Sequence, residues 1–132
     1  MELVWNMIKP ITIILVDDLS FMRDAIRNIV EKEDMLVVGE AENGREAVKM
    51  YTELSPDIVL MDITMPVMNG LDSLKHIKDF DPGAKVIMCS AIGQQKYIIR
   101  SIQLGARDFI LKPFKPERII SAITKAAGIN DK

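Results

Sequence analysis

The sequence predicts an α/β fold: one doubly wound parallel sheet of five strands with helices on both faces. Three observations predict it. Short, nearly continuous apolar runs rich in β-branched residues recur five times, as strands buried on both sides require. Amphipathic stretches of helical period lie between them and serve as crossovers. The 132 residues, 48% hydrophobic and 27% charged, suffice for one packed domain and leave no room for a second of ordinary size.

The first run is Ile11-Thr12-Ile13-Ile14-Leu15-Val16, and it stops at Asp17-Asp18. A helix follows, with Ser20 as its cap and Phe21, Ala25, Ile26, Ile29 and Val30 inward, while Arg23, Asp24, Arg27 and Asn28 fall between them. Met35 to Val38 reads as the second strand, ended by Gly39-Glu40. The next helix runs from about Gly44 to Leu54, with Ala47, Val48 and Tyr51 on one face and Ser55-Pro56 as its stop. Asp57 to Asp62 is the third strand. Pro66 and Asn69-Gly70 mark a loop before a helix through Leu71, Leu74, Ile77 and Lys78. Lys85 to Ser90 is the fourth strand, and the helix from about Gln94 to Leu104 closes at Gly105. Asp108 to Lys112 is the fifth strand. Pro116 opens a last helix with Ile119, Ile120, Ile123 and Ala127 inward.

Seventeen Lys and Arg against 19 Asp and Glu give a formal net charge of -2, which draws the chain toward neither nucleic acid nor an anionic membrane. Cys89 stands alone in an apolar run, so a buried thiol and a reducing cytoplasm are expected. The N-terminal residues lack the features of a secretory signal, and no stretch approaches the roughly 20 apolar residues of a membrane span. Met1 to Asn6 carry no assigned function.

Ligands of an open doubly wound sheet bind beyond the carboxyl ends of its strands. Asp17-Asp18, Asp62, Ser90 and Lys112 end strands one, three, four and five, so the topology collects them on one edge. Each alone reads as a turn former, a cap or a solvated charge. Together, three carboxylates, a hydroxyl and an ammonium are a coincidence for a scaffold without a site. The carboxylates repel one another unless a cation neutralises them, and an all-oxygen set in a wet site suits Mg²⁺, with no Cys/His set for zinc. His76 is expected to face solvent. A metal, a Lys and a hydroxyl cradle the anionic oxygens of a phosphoryl group, and Asp62 is the nucleophile such a cradle orients.

Four stretches then carry a resemblance: Ile14 to Asp18, Met61-Asp62-Ile63-Thr64-Met65-Pro66-Val67-Met68-Asn69-Gly70, Cys89-Ser90-Ala91, and Asp108 to Phe114. In this order the chain resembles the receiver domains of two-component signalling, and Ser90 to Gln95 is similar to stand-alone chemotaxis regulators of the CheY type. The resemblance implies a flavodoxin-like (βα)5 sheet of strand order 2-1-3-4-5. It implies a receiver domain over residues 11–128, a short extension over 1–10 and a tail over 129–132. Asp62 becomes the phosphoacceptor, Lys112 the partner of the phosphoryl group and Ser90 its hydroxyl donor. Mg²⁺ is bound by Asp18 and Asp62 directly, by Asp17 through water and by the Thr64 carbonyl, with Thr64 and Ala91 bordering the ligand. Lys112-Pro113 is expected to be cis.

The resemblance further implies a switch. Ser90 moves toward the phosphoryl group, Phe109 turns from exposed to buried in the vacated space, and the face of the fourth helix, fifth strand and fifth helix changes its partner preference. Tyr97, Ile98, Ile99 and Ile102 give that face more apolar surface than one core stripe needs. Many chemotaxis regulators carry Tyr at the position of Phe109. The implied partners are a sensor histidine kinase of chemotaxis, a flagellar motor switch protein and a phosphatase, acting on a cytoplasmic monomer without nucleic acid or membrane. Such a protein catalyses its own phosphorylation and slow dephosphorylation and turns over no external substrate; Thr64 and Ile92 are expected to hinder the attacking water. The alternatives are a Mg²⁺-dependent phosphohydrolase with an aspartyl intermediate, or the receiver of another phosphorelay or of a DNA-binding regulator. A hydrolase normally has a second Asp two residues after the nucleophile, where this chain has Thr64.

Overall fold

Side-chain alternation along a buried strand sends successive residues to opposite faces, and the first strand of this chain feeds two cores in that way. In the computed structural model, which describes residues 9–129, β1 (Thr12–Val16) directs Ile13 and Leu15 to one core and Ile14 and Val16 to the other. Apart from Lys9, Pro10 and Ile129, the expected extension and tail lie outside the described residues. Four further strands pair in parallel: β2 (Leu36–Ala41), β3 (Ile58–Met61), β4 (Val86–Ser90) and β5 (Asp108–Leu111). Their order is β2-β1-β3-β4-β5, as the sequence implies.

Helices α1 (Ser20–Glu31) and α5 (Pro116–Ala126) cover the first core through Ile26, Val30, Ile119 and Ile123. On the opposite face α2 (Gly44–Leu54) and α3 (Gly70–Phe80) contribute Ala47, Tyr51, Leu74 and Ile77. Each fully buried aliphatic side chain of this kind is worth about 1.5–3 kcal/mol, so these four helices are firmly held. The remaining helix, α4 (Gln95–Gln103), buries only Ser101 and lends a half-buried Tyr97 to the second core. No described helix is long and apolar enough to cross a membrane. Local signals set the helix ends: Asn43 and Asn69 accept from the N–H of Glu46 and Asp72, and Gly105 takes φ 98° just after α4.

Three local readings need correction. The cap position of α1 is Leu19, with no side-chain cap, and Ser20 is already helical. Its inward face carries Met22, Ile26, Ile29 and Val30, leaving Phe21 and Ala25 exposed. The inward stripe keeps Ile26, Ile29 and Val30 and takes Met22 in place of Phe21 and Ala25; ahead of the helix the Asp17 carboxylate accepts from the Leu19 N–H at 2.9 Å. Strand β2 runs on through Gly39 to Ala41, since a register shift between Ile13 and Ile14 lets Gly39, Glu40 and Ala41 pair with Ile14, Leu15 and Val16. Gly39 is no stop here; a Cβ would lie 2.5 Å from the Met50 sulfur, so it admits α2 close to the strand.

Between β3 and α3, Val67 sits at φ 68°, where a β-branched residue is strained, held by a Met68 N–H bond to the Pro66 carbonyl at 2.7 Å. Strain of this kind amounts to roughly 1–3 kcal/mol. Asn tolerates the left-handed region, so Val67→Asn is expected to raise the urea midpoint, by about 1 kcal/mol of stability. An unchanged or lowered midpoint contradicts the strain.

Candidate functional site

The register of two strands places the first carboxylates. Val16 is paired with Met61, so the next residues, Asp17 and Asp62, emerge side by side; the Asp62 N–H donates to the Val16 carbonyl at 3.0 Å. Both lie on the pleat parity of Leu15 and Leu60, the side covered by α1 and α5. Lys112, two residues beyond Ile110, shares that parity from β5 and spans the intervening strand with its long side chain. A cavity of about 10 Å³ remains beneath Asp17 and Asp62, walled by Leu15, Ile26, Leu60 and Cys89, too small for a ligand.

Asp17, Asp18 and Asp62 each offer a carboxylate oxygen within 4.8 Å of the others. The Lys112 ammonium donates to Asp17 at 2.7 Å and to Asp62 at 3.3 Å. Burial separates the three acids: the side chain of Asp17 is 4% exposed and that of Asp62 12%, whereas Asp18 faces solvent. Burial pushes the Asp62 carboxyl above the usual carboxylate range and the charge of Asp17 adds to this, against Lys112 and the Ile63 N–H, which favour the anion. Lys112 is held above the usual lysine range, because its bond to Asp17 and the charges of both acids outweigh burial. Burial also pushes the Cys89 thiol up to about 12, so this expected core cysteine is inert near neutrality. An all-oxygen donor set, with one carboxylate open to water and too little positive charge for three acids, fits a hard divalent cation.

The remaining expected residues are arranged differently. Ser90 follows Met88 in the alternation and therefore faces the second core, on the side of Phe109. It is buried, its hydroxyl accepts from the Ile92 N–H at 3.1 Å, and it makes no hydrogen bond to Asp62 or Lys112 among the described residues. Its main chain nevertheless touches the site, accepting from the Lys112 N–H at 2.9 Å. Thr64 and Ala91 are exposed, Phe109 and Tyr97 are each half-buried against the second core, and Lys112-Pro113 is cis. Ile99 and Ile102 of α4 and Leu111 of β5 are exposed apolar side chains, whereas Tyr97 and Ile98 are partly covered. His76 faces solvent as expected.

Sequence reading missed two supports of the site. Arg23, expected among the outward residues of α1, is 12% exposed, donates to the Asp17 main-chain carbonyl at 2.5 Å and pairs with Glu40 at 2.7 Å. Its spacing from Ile26 and Val30 was the available signal. Gly70 is the other: a Cβ there would stand 1.9 Å from the Asp62 carbonyl oxygen, so only glycine lets α3 begin against the end of β3.

The raised Asp62 carboxyl has a stability consequence with a definite sign. Its ionised form is disfavoured by folding, so the penalty is full above the folded value and vanishes once pH falls below both folded and unfolded values. In EDTA at neutral pH, Asp62→Asn is expected to melt above the wild type, and the gap should close as pH falls through the carboxylate range. A variant that melts lower at neutral pH refutes this.

Comparison with known proteins agrees with the geometry. The model of the response regulator receiver domain matches residues 13–124. The chemotaxis protein CheY of Thermotoga maritima is 54% identical over 115 residues, 87% of this chain and 96% of the relative. CheY of Listeria monocytogenes is 56% identical over 115 residues, 87% of this chain and 97% of the relative. Among solved structures, the CheX-CheY-BeF3-Mg+2 complex from Borrelia burgdorferi superposes with a TM-score of 0.86 at 34% identity, covering 88% of both chains. Likeness of this length in both sequence and fold leads to one family: the chain belongs to the response regulator receiver domains, and it is a CheY-like member.

Proposed function

We propose that this protein is a stand-alone chemotaxis response regulator that takes a phosphoryl group onto Asp62. One observation carries the reading: carboxylates from the ends of β1 and β3 converge within 4.8 Å, with the Lys112 ammonium bonded to two of them. A carboxylate oxygen of Asp62 attacks the phosphorus of a phosphohistidine on a sensor kinase; the new P–O bond forms as the P–N bond breaks, and the imidazole leaves with the electron pair. Asp18 and Asp62 would hold Mg²⁺ directly, Asp17 through water and Thr64 through its carbonyl; the ion supplies positive charge for the three carboxylates and the incoming phosphoryl oxygens. Lys112 stabilises the charge on the transferring group, and the half-buried position of Asp62 limits access of water.

Phosphorylation adds acceptor oxygens that the Ser90 hydroxyl reaches by giving up its bond from Ile92 N–H. The segment after β4 follows, Phe109 moves inward, and the face of α4, β5 and α5, which exposes Ile99, Ile102 and Leu111, changes partner, with a flagellar motor switch protein as the output. Thr64 is exposed and Ile92 partly covered beside the site, and neither side chain offers a carboxylate or amide to orient an attacking water, so a separate phosphatase would supply that group. The protein would act as a cytoplasmic monomer with slow self-dephosphorylation, as a receiver domain over residues 11–128.

Beryllium fluoride with Mg²⁺ imitates the acyl phosphate and tests this directly. Wild type is expected to show amide shifts at Ser90 and Phe109, and Asp62→Asn none. Equal responses from the two proteins would overturn the assignment.

A further inference from the structure

Asp18 is the outermost of the three acids, and its carboxylate makes no hydrogen bond among the described residues. Only its backbone therefore fixes where it stands. The neighbouring Asp17 side chain is pinned on both oxygens, by the Leu19 N–H at 2.9 Å and by Lys112 at 2.7 Å. The carbonyl that joins Asp17 to Asp18 is pinned by Arg23, whose Nη1 lies 2.5 Å from it. The guanidinium is braced in turn: its Nε bonds Glu40 of β2 at 2.7 Å, and Arg27 holds the other oxygen of the same carboxylate. The planar fork thus serves a fixed anion and a main-chain carbonyl at once, which a lysine ammonium cannot reproduce with the same geometry.

We propose that Arg23 is a positioning residue for the metal pocket, setting through the Asp17 carbonyl where the Asp18 carboxylate meets a divalent cation. The inference rests on the Mg²⁺ site proposed above. Groups that orient metal ligands from behind typically change affinity about 10–100-fold when altered. Charge alone acts in the opposite direction, since removing a cation near three carboxylates favours Mg²⁺. The two effects are separable because Arg23→Lys keeps the charge and loses the fork.

The test is a Mg²⁺ titration of the full chain followed by the amide shifts of Asp18 and Lys112, with Tm measured for each variant. Arg23→Lys is expected to bind about 10-fold more weakly than wild type, and Arg23→Gln also more weakly despite its lost positive charge. Arg27→Gln, which removes equal charge and a contact to the same Glu40 without touching Asp17, should remain near wild type. Wild-type affinity in Arg23→Lys, tighter binding in Arg23→Gln, or equal weakening in Arg27→Gln overturns the positioning role alone. Failure of the wild type to respond to Mg²⁺, or of Asp18→Asn to weaken it, overturns the site and this inference together.

Discussion

The pairing of Val16 with Met61 forces two carboxylates to emerge adjacent to each other, half inside the protein. Like charges at that distance and burial oppose folding unless something compensates them. The chain supplies one ammonium, from Lys112, and leaves Asp18 at the solvent boundary. With a single ammonium for the three acids, and the nearby Arg23 guanidinium already paired with Glu40, the pocket is electrostatically unfinished. Its remaining demand is for positive charge and for hard oxygen-seeking chemistry, which is the demand that a divalent ion meets. Gly70, Arg23 and the small cavity under Asp62 serve the same constraint, because each concerns how closely the backbone packs behind the acids.

Alternation along the strands divides the site into two parts. Asp17, Asp62 and Lys112 share the parity of the core under α1 and α5, whereas Ser90 and Phe109 share the parity of the core under α2 and α3. These two acids and the lysine therefore lie on one face of the sheet, Ser90 and Phe109 on the other, and the two sets meet at its carboxyl edge. The Ser90 carbonyl, bonded to the Lys112 N–H, is the point where the two touch. A hydroxyl on the far face can reach the acids only over that edge, so any such contact displaces the segment that follows it.

Much of this was legible in the sequence because strand parity and order obey strict rules. Continuous apolar runs pointed to five strands, and Asp17, Asp18, Asp62, Ser90 and Lys112 stand at or just beyond the ends of four of them. What escaped depended on tertiary contacts of single residues. Phe21 and Ala25 fit a helical stripe through Ile26, Ile29 and Val30 as well as Met22 does, and apolar spacing alone does not choose between them. Arg23, three positions before Ile26, was counted as solvated because its partners, Glu40 and the Asp17 carbonyl, lie outside its helix. Gly39 looked like a terminator because its other use, admitting Met50 of α2, involves a partner remote in sequence. That Ser90 would have its hydroxyl bonded to Ile92 was likewise unreadable, since either side of the strand end offers a serine a donor.

Differences in anchoring explain which element can answer a chemical event at the edge. Leu74 and Ile77 are the largest of the buried side chains that hold α3, and at about 1.5–3 kcal/mol each they together outweigh any single new contact. A hydrogen bond to a charged group contributes about 1.5–3 kcal/mol, comparable with one such side chain. Helix α4 buries no large apolar residue, and its Ser101 hydroxyl satisfies itself on the Tyr97 carbonyl within the helix. Gly93, whose Cβ would come within 2.9 Å of Leu111, leaves the chain before α4 seated closely on β5 with no side chain of its own to hold it. One hydrogen bond to a charged group at Ser90 would match a single apolar anchor of α3, whereas α4 buries no anchor of that size.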